Sequence, residues 1–142
     1  MRDSISYVQF LSSIARPLNL TLGLKNAGSI VSAVLPLVDF SVNEQCAQYN
    51  ECNKFQPFIA SGKPVFHIEY PAGDSSLQQT VEANGFSDDT KKRACDAIGS
   101  NGFSTILKKM ELDGWAQYCA GKVESTAIDQ DNGGHAQRRK RR

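Results

Sequence analysis

The sequence predicts an α/β protein built on a parallel sheet. Its composition is ordinary for a globular domain: 40% of the 142 residues are apolar and 22% are charged, which excludes collagen-like and wholly disordered chains. Segments with helical periodicity alternate with short apolar runs of strand character along the chain. Strands that alternate with helices pair in parallel and are joined by right-handed crossovers, so we expect one sheet covered by helices.

The first element is predicted to be a helix. From Ile5 to Leu18, apolar residues recur at three- and four-residue spacing, which marks one face of a helix. Asp3 or Ser4 can cap its start, and Pro17 limits its end. Further helical segments are predicted over residues 29–35, 45–59 and 88–98.

Four short apolar runs are predicted to be strands. Each contains β-branched or aromatic residues and ends where the sequence becomes polar. Their bounds are 20–24, 37–42, 64–68 and 103–107. A polar loop is expected over 71–84, and a helix or turn over 112–118 completes the ordered part.

The formal net charge of +1 hides an uneven distribution. The last five residues, 138–142, carry five of the 16 positive charges, and without them the body has a charge of about −4. An acidic body lacks the positive surface that nucleic-acid binding requires, so no nucleic-acid partner is expected. We predict a folded part over residues 1–120 and a disordered basic tail over 121–142, with a nuclear address as an alternative role for the tail.

Membrane association is not expected either. No stretch approaches 18 consecutive apolar residues, so the sequence predicts no transmembrane helix. The first residues do not resemble a signal peptide, which leaves the localisation open.

The four cysteines suggest disulfides. The even count favours the pairs Cys46–Cys52 and Cys95–Cys119 and an oxidising compartment, although four cysteines allow three pairings. Four buried free thiols are the alternative. The two histidines are not spaced as zinc ligands, so no metal site and no cofactor are expected. His67 falls within a predicted strand and is expected to be a packed core residue.

Polar residues gather where the predicted strands end. In parallel sheets, ligands bind at the carboxyl ends of the strands. Glu44 follows the second strand and Glu69 the third, and two carboxylates on neighbouring strands suit glycoside hydrolysis. Lys25 could lower the pKa of a carboxyl group. Three aromatic residues could stack on a sugar ring: Tyr49, Tyr70 and Trp115. The alternative is that the charged residues are merely solvated and that Trp115 belongs to the core.

Two architectures fit this pattern. One is an open, doubly wound sheet, and the other is part of a (β/α)8 barrel, which normally needs about 200 residues or more. The chain has no glycine-rich phosphate-binding motif, so nucleotide binding has no signature.

Five segments carry a resemblance to a known family. They are LGLKN at 22–26, VDFSVNEQC at 38–46, YNEC at 49–52, GKPVFHIEY at 62–70 and LDGWAQYC at 112–119. In order and spacing the chain resembles the endo-α-1,4-polygalactosaminidases, glycoside hydrolase family 114, whose fungal members are often labelled alpha-galactosidases. The resemblance implies a TIM barrel, secretion, and cleavage of α-linked galactosamine-containing polysaccharide. By the strand count, this chain would hold the last four βα units of that partial barrel.

The resemblance also implies roles for individual residues. Glu44 matches a carboxylate proposed to be catalytic, and Cys46 with Cys52 matches a family disulfide. Five further strand-end residues match positions with substrate-binding or supporting roles: Lys25, Asn26, Asn43, Glu69 and Tyr70.

One motif of the family is missing from the chain. The second catalytic carboxylate, an Asp in a Pro-Asp-Asn-like motif, would lie before Met1. We therefore expect a truncated hydrolase, with an inactive half-barrel that binds galactosamine-containing polysaccharide as the alternative. Because a half-barrel exposes sheet edges and an apolar inner face, self-association is also expected.

Overall fold

The computed structural model describes residues 2–71, 85–111 and 113–127. The helices are α1 (Arg2–Ala15), α2 (Val31–Val34), α3 (Gln56–Ala60) and α4 (Asp88–Cys95). The strands are β1 (Gly23–Lys25), β2 (Phe40–Glu44), β3 (Val65–Glu69), β4 (Ser104–Leu107), β5 (Trp115–Tyr118) and β6 (Val123–Ser125). Turns of 3₁₀ helix lie at Arg16–Leu18, Gly28–Ile30, Leu35–Leu37 and Cys52–Phe55.

The six strands form one sheet in sequence order. The first four are parallel, whereas β5 and β6 add as antiparallel strands at the β4 edge. The predicted α/β class with a parallel sheet is confirmed for these four strands, and their sequence order is the one expected when each is followed by a crossover to its neighbour.

Residues 112–118 were expected to form a helix or turn, and this prediction is wrong. The segment holds β5, in which the side chains of Trp115 and Gln117 are buried and alternate with more exposed neighbours, the period of a strand. β6 then pairs with β5, so the sheet continues past the predicted boundary at residue 120. The rest of the predicted tail, 128–142, lies outside the described residues, as do residues 72–84 of the predicted loop.

β2 begins and ends later than predicted. Pro36 lies in the 3₁₀ turn Leu35–Leu37, and the strand starts only at Phe40 because this turn occupies the residues before it. A proline fixes its own backbone angle and suits the first turn of a helix, which favours the turn over a strand here. In consequence Glu44 is the last residue of the strand rather than a residue beyond it.

The two faces of β1–β3 have different surroundings. Directly paired residues share a face, and successive residues alternate between faces. One face packs against the helices and carries Leu24, Ser41, Asn43, Val65, His67 and Glu69. The other, which we call the open face, carries Gly23, Lys25, Phe40, Val42, Glu44, Phe66 and Ile68. The open face is partly uncovered, since Phe66 retains 46% of its exposure.

The principal core lies between the sheet and α1–α3. Its largest fully buried side chains include Phe55, Phe58 and Val34. A second cluster, formed by Phe86, Ala94, Leu107 and Trp115, lies where α4 meets β4 and β5. Trp115 packs edge-on against Phe86 with 5.5 Å between ring centroids. Trp115 is therefore a core residue. This was the alternative to sugar stacking that the sequence left open.

Both predicted disulfides are confirmed. Cys46 bonds to Cys52, and Cys95 bonds to Cys119. The sulfur atoms of the first pair lie near His67, and the three potential ligand atoms are within 4.8 Å of one another. Because the two sulfurs are bonded to each other, they offer no thiolate to a metal.

Within the described residues, no helix is both long and apolar enough to cross a membrane.

Candidate active site

The candidate site is centred on the carboxylate of Glu44. Lys25 Nζ lies 2.6 Å from Glu44 Oε2, and the Tyr70 hydroxyl donates a hydrogen bond of 2.9 Å to Glu44 Oε1. Both carboxylate oxygens thus have a fixed donor. The structure brings together three of the residues singled out from the sequence.

The parallel sheet explains why these side chains meet. Lys25 ends β1, Glu44 ends β2, and Tyr70 follows β3, so the three come from adjacent strands at their carboxyl ends. Glu44 pairs with Ile68, which places Tyr70 two residues further along on the same face. The site therefore lies at the edge of the sheet where ligands of parallel α/β proteins bind.

Asn26 supports Glu44 through its backbone, and Asn43 contacts Asn26. Asn26 has a left-handed backbone (φ 53°), which asparagine tolerates better than most residues. Its Oδ1 accepts a 2.8 Å hydrogen bond from the Glu44 N–H and a 3.4 Å bond from Asn43 Nδ2. Asn43 itself is buried on the helix-facing side, and within the described chain its Oδ1 has no hydrogen-bond partner. Asn26 thus fixes the backbone from which the carboxylate projects.

The electrostatics of the site keep Glu44 ionised. The hydrogen bond from Lys25 holds the pKa of Glu44 below its ordinary value of 4.5, with the Tyr70 hydroxyl contributing in the same direction and burial opposing them. Burial, followed by the nearby Glu44 carboxylate, raises the pKa of Tyr70 to about 12. At neutral pH the site therefore contains a carboxylate, a lysine close to it, and a protonated tyrosine that acts as donor.

Glu69 does not join this group. It lies on the helix-facing side with 4% of its surface exposed, 2.7 Å from His67 Nε2. Its Oε1 also accepts a 2.8 Å hydrogen bond from the Ala47 N–H. The expected role of Glu69 in binding substrate stays a prediction, and the geometry favours support of the loop that follows Glu44.

The sequence did not predict that His67 and Ala47 contact Glu69. His67 was expected to be a core histidine, and it is fully buried, but its ring also contacts Glu69 and the sulfur of Cys46. The signal was available in part, because residues 67 and 69 of one strand must share a face. Of the other aromatic candidates, Tyr49 is exposed in the loop after β2.

We expect the pKa of Glu44 to rise toward its ordinary value in Lys25→Met, because the principal cause of its lowering is removed. The measurement is a carbon-13 NMR titration of the glutamate carboxyl groups. Lys54→Met, which removes a lysine paired with Glu51 instead, serves as the matched control and should leave Glu44 unchanged. An unaltered Glu44 titration in Lys25→Met would contradict the hydrogen bond between Lys25 Nζ and Glu44.

The lowered pKa of Glu44 also makes the stability of the folded state depend on pH. A carboxyl group whose pKa is lowered by folding stabilises the folded state above its unfolded pKa, and this contribution is lost as the pH falls from about 4.5 through the lower folded value. Because Lys25 is more than half exposed, the contribution should be no more than about 1 kcal/mol.

Comparison with known proteins identifies the family of the chain. The family model of glycoside-hydrolase family GH114 matches residues 1–124. The chain belongs to glycoside-hydrolase family GH114. A crystal structure of Aspergillus fumigatus Ega3 in complex with galactosamine is 49% identical and has a TM-score of 0.73. That match covers 83% of this chain and 45% of the Ega3 chain. No curated protein sequence matches.

The GH114 assignment confirms the resemblance drawn from the five sequence segments. The chain spans less than half the length of the Ega3 chain, so its sheet corresponds to part of that structure. A partial barrel accounts for the open face, because the inner face of a barrel carries alternating residues from each strand and is covered only when the barrel is closed.

Proposed function

We propose that this chain supplies one of the catalytic carboxylates, Glu44, to a glycoside hydrolase that cleaves α-1,4-linked galactosamine polysaccharide. The observation that carries the proposal is the position of Glu44, held between Lys25 and Tyr70 at the carboxyl end of a parallel strand. Membership of GH114 and the similarity to a galactosamine complex support the substrate class.

The charge of Glu44 determines which catalytic role it can have. Glycosidases generally use two carboxyl groups, one as the acid that protonates the leaving oxygen and one as an ionised base or nucleophile. Since Lys25 and Tyr70 stabilise the ionised form, Glu44 suits the second part. The ionised carboxylate also complements the ammonium group of galactosamine.

The neighbouring residues have supporting parts in this proposal. Lys25, which is partly exposed, can donate to a sugar hydroxyl as well as to Glu44, and Tyr70 orients the other carboxylate oxygen. Asn26 supports Glu44 by accepting the hydrogen bond from its backbone N–H, and Asn43 contacts Asn26. None of these parts requires a metal or cofactor.

A binding function without turnover is the second candidate. Within β1–β4 the acidic residues are Glu44 and Glu69, and Glu69 lies on the opposite face. These four strands therefore present one carboxylate to the open face, whereas hydrolysis requires two. A chain of this kind would bind galactosamine-containing polysaccharide and leave it intact.

The remaining expectations extend the same proposal. Secretion agrees with the two disulfides, and a broader alpha-galactosidase activity would extend the substrates to unsubstituted α-galactosides. Self-association through the open face would cover its apolar residues, and sedimentation velocity would measure it.

The decisive experiment offers the 142-residue chain an α-1,4-galactosamine oligosaccharide and measures both binding heat and release of reducing ends. We expect binding, with N-acetylated and plain α-galactose oligomers as controls for the ammonium group. Release of reducing ends supports the hydrolase, and binding without release supports the second candidate. Absence of both contradicts the proposed function.

A further inference from the structure

The loop after Glu44 is anchored by a hydrogen bond and a disulfide. We call residues 45–52 the Cys46 loop. It begins with Gln45, whose left-handed backbone (φ 62°) turns the chain away from β2, and its ends are joined by the Cys46–Cys52 disulfide. The Gln45 N–H donates to the Ile68 carbonyl of β3 at 2.9 Å. The loop is therefore fixed at its first residue and closed on itself.

A buried polar pair lies behind this loop. His67 Nε2 is 2.7 Å from Glu69 Oε1 and 3.2 Å from Cys46 Sγ, while the Ala47 N–H donates to the same Glu69 oxygen at 2.8 Å. His67 and Glu69 are almost completely buried. They connect β3 to two consecutive residues of the Cys46 loop.

The histidine is itself held in place. Its Nδ1 lies 2.9 Å from Thr105 Oγ1 of β4, and its ring packs edge-on against Phe103 at 5.7 Å between centroids. Both ring nitrogens are therefore engaged, and the ring has little freedom to rotate. The network runs from β4 through His67 and Glu69 to the loop directly after Glu44.

We propose that Glu69, together with His67, is a positioning residue that holds the Cys46 loop and thereby fixes the carboxylate of Glu44 from the opposite side of the sheet. This inference rests on the proposed function and deepens it. It assigns Glu69 a part that differs from contact with substrate, because its carboxylate faces the helices.

Energetic considerations favour this part. Burying a polar or charged group is costly unless it is hydrogen-bonded, and removing one partner of a buried pair leaves the other unsatisfied. His67 Nε2 and the Ala47 N–H both contact Glu69 Oε1, so the carboxyl group offsets the burial of His67 and of a loop N–H at once. Apolar residues of similar volume would fill the same space without the cost of burying polar groups. Packing alone therefore does not explain the His67–Glu69 pair.

The first test compares Glu69→Ala with Glu69→Gln. In Glu69→Ala we expect the pKa of Glu44 to rise toward its ordinary value. The Glu44 carboxylate is then no longer held where Lys25 and Tyr70 can donate hydrogen bonds to it. Glu69→Gln should restore most of the original titration, since the amide oxygen still accepts from the Ala47 N–H. Where reducing ends are released, kcat should fall by about 100-fold in Glu69→Ala with KM nearly unchanged.

Glu51→Gln is the matched control, because Glu51 belongs to the same loop but its side chain is solvent-accessible and pairs with Lys54. It should leave the Glu44 titration and kcat unchanged. A folded Glu69→Ala variant with an unaltered Glu44 titration would overturn the proposal. So would a Glu51→Gln variant that shifts the titration as much as Glu69→Ala does.

A second measurement needs no variant and remains decisive if Glu69→Ala does not fold. Amide hydrogen exchange of the unmodified chain should show the Ala47 N–H protected to the same extent as the amides of β3, because it is bonded to a buried carboxylate. Exchange of Ala47 at the rate of an open loop overturns the proposal.

The titration and exchange measurements distinguish this inference from the proposed function. Neither depends on turnover, so a chain that fails to bind or cleave galactosamine oligomers but shows a protected Ala47 and a shifted Glu44 loses only the proposed function. A chain that binds and cleaves, but whose Glu44 is insensitive to Glu69→Ala, loses only the inference.

Discussion

Glu44→Gln is expected to reduce hydrolysis of α-1,4-galactosamine oligomers by about 1,000-fold in kcat, the scale of a lost acid–base or nucleophilic group. The amide has the size of the carboxyl group and can still accept the hydrogen bond from the Tyr70 hydroxyl. It carries no charge to attract an ammonium group or an oxocarbenium-like transition state. The measurement is the rate of reducing-end release at matched substrate saturation.

Stability separates this effect from a loss of fold. Because Lys25 is more than half exposed, Glu44→Gln should lower the free energy of unfolding by no more than about 1 kcal/mol. Glu51→Gln provides the control for removal of an acidic side chain nearby. If turnover persists in Glu44→Gln, Glu44 is not a catalytic residue, and substrate binding is the role that is left for it.

Much of the fold could be predicted because its signals are local. The periodicity of α1 and the apolar runs of β1–β4 are written in consecutive residues, and the placement of Glu44 at a strand end follows from them. The pair Cys46–Cys52 was suggested by the even number of cysteines and supported by the family resemblance. These predictions required no knowledge of which strands are neighbours beyond the usual right-handed connection.

The parts that could not be predicted depend on register and on tertiary contacts. Glu44 and Glu69 both end strands, but β2 and β3 pair so that Glu44 is opposite Ile68, which places the two carboxylates on different faces. A change of register by one residue would reverse that result. β5 was missed for a related reason: its four residues are too short a segment to show a strand period by themselves, and they form a strand by pairing with β4 and β6.

The two disulfides are expected to contribute differently to stability and to the site. In the chain-entropy description, the stabilisation by a cross-link increases with the logarithm of the number of residues in the loop that it closes. The Cys95–Cys119 bond joins residues 24 apart and the Cys46–Cys52 bond joins residues 6 apart. Replacing each pair by alanines should therefore cost about 3.5 and about 2.4 kcal/mol of unfolding free energy respectively, measured by urea denaturation.

The site should respond in the opposite order. Cys46→Ala with Cys52→Ala opens the Cys46 loop next to Glu44, so the affinity for galactosamine oligomers should fall and the Glu44 titration should move toward its ordinary value. The Cys95–Cys119 bond joins α4 to the residue after β5 and lies outside the Cys46 loop, so Cys95→Ala with Cys119→Ala should have the smaller effect on both in the folded fraction. If the more destabilising pair also had the larger effect on Glu44, the site would be reporting global stability. A larger effect of the less destabilising pair requires instead that the loop itself holds the carboxylate.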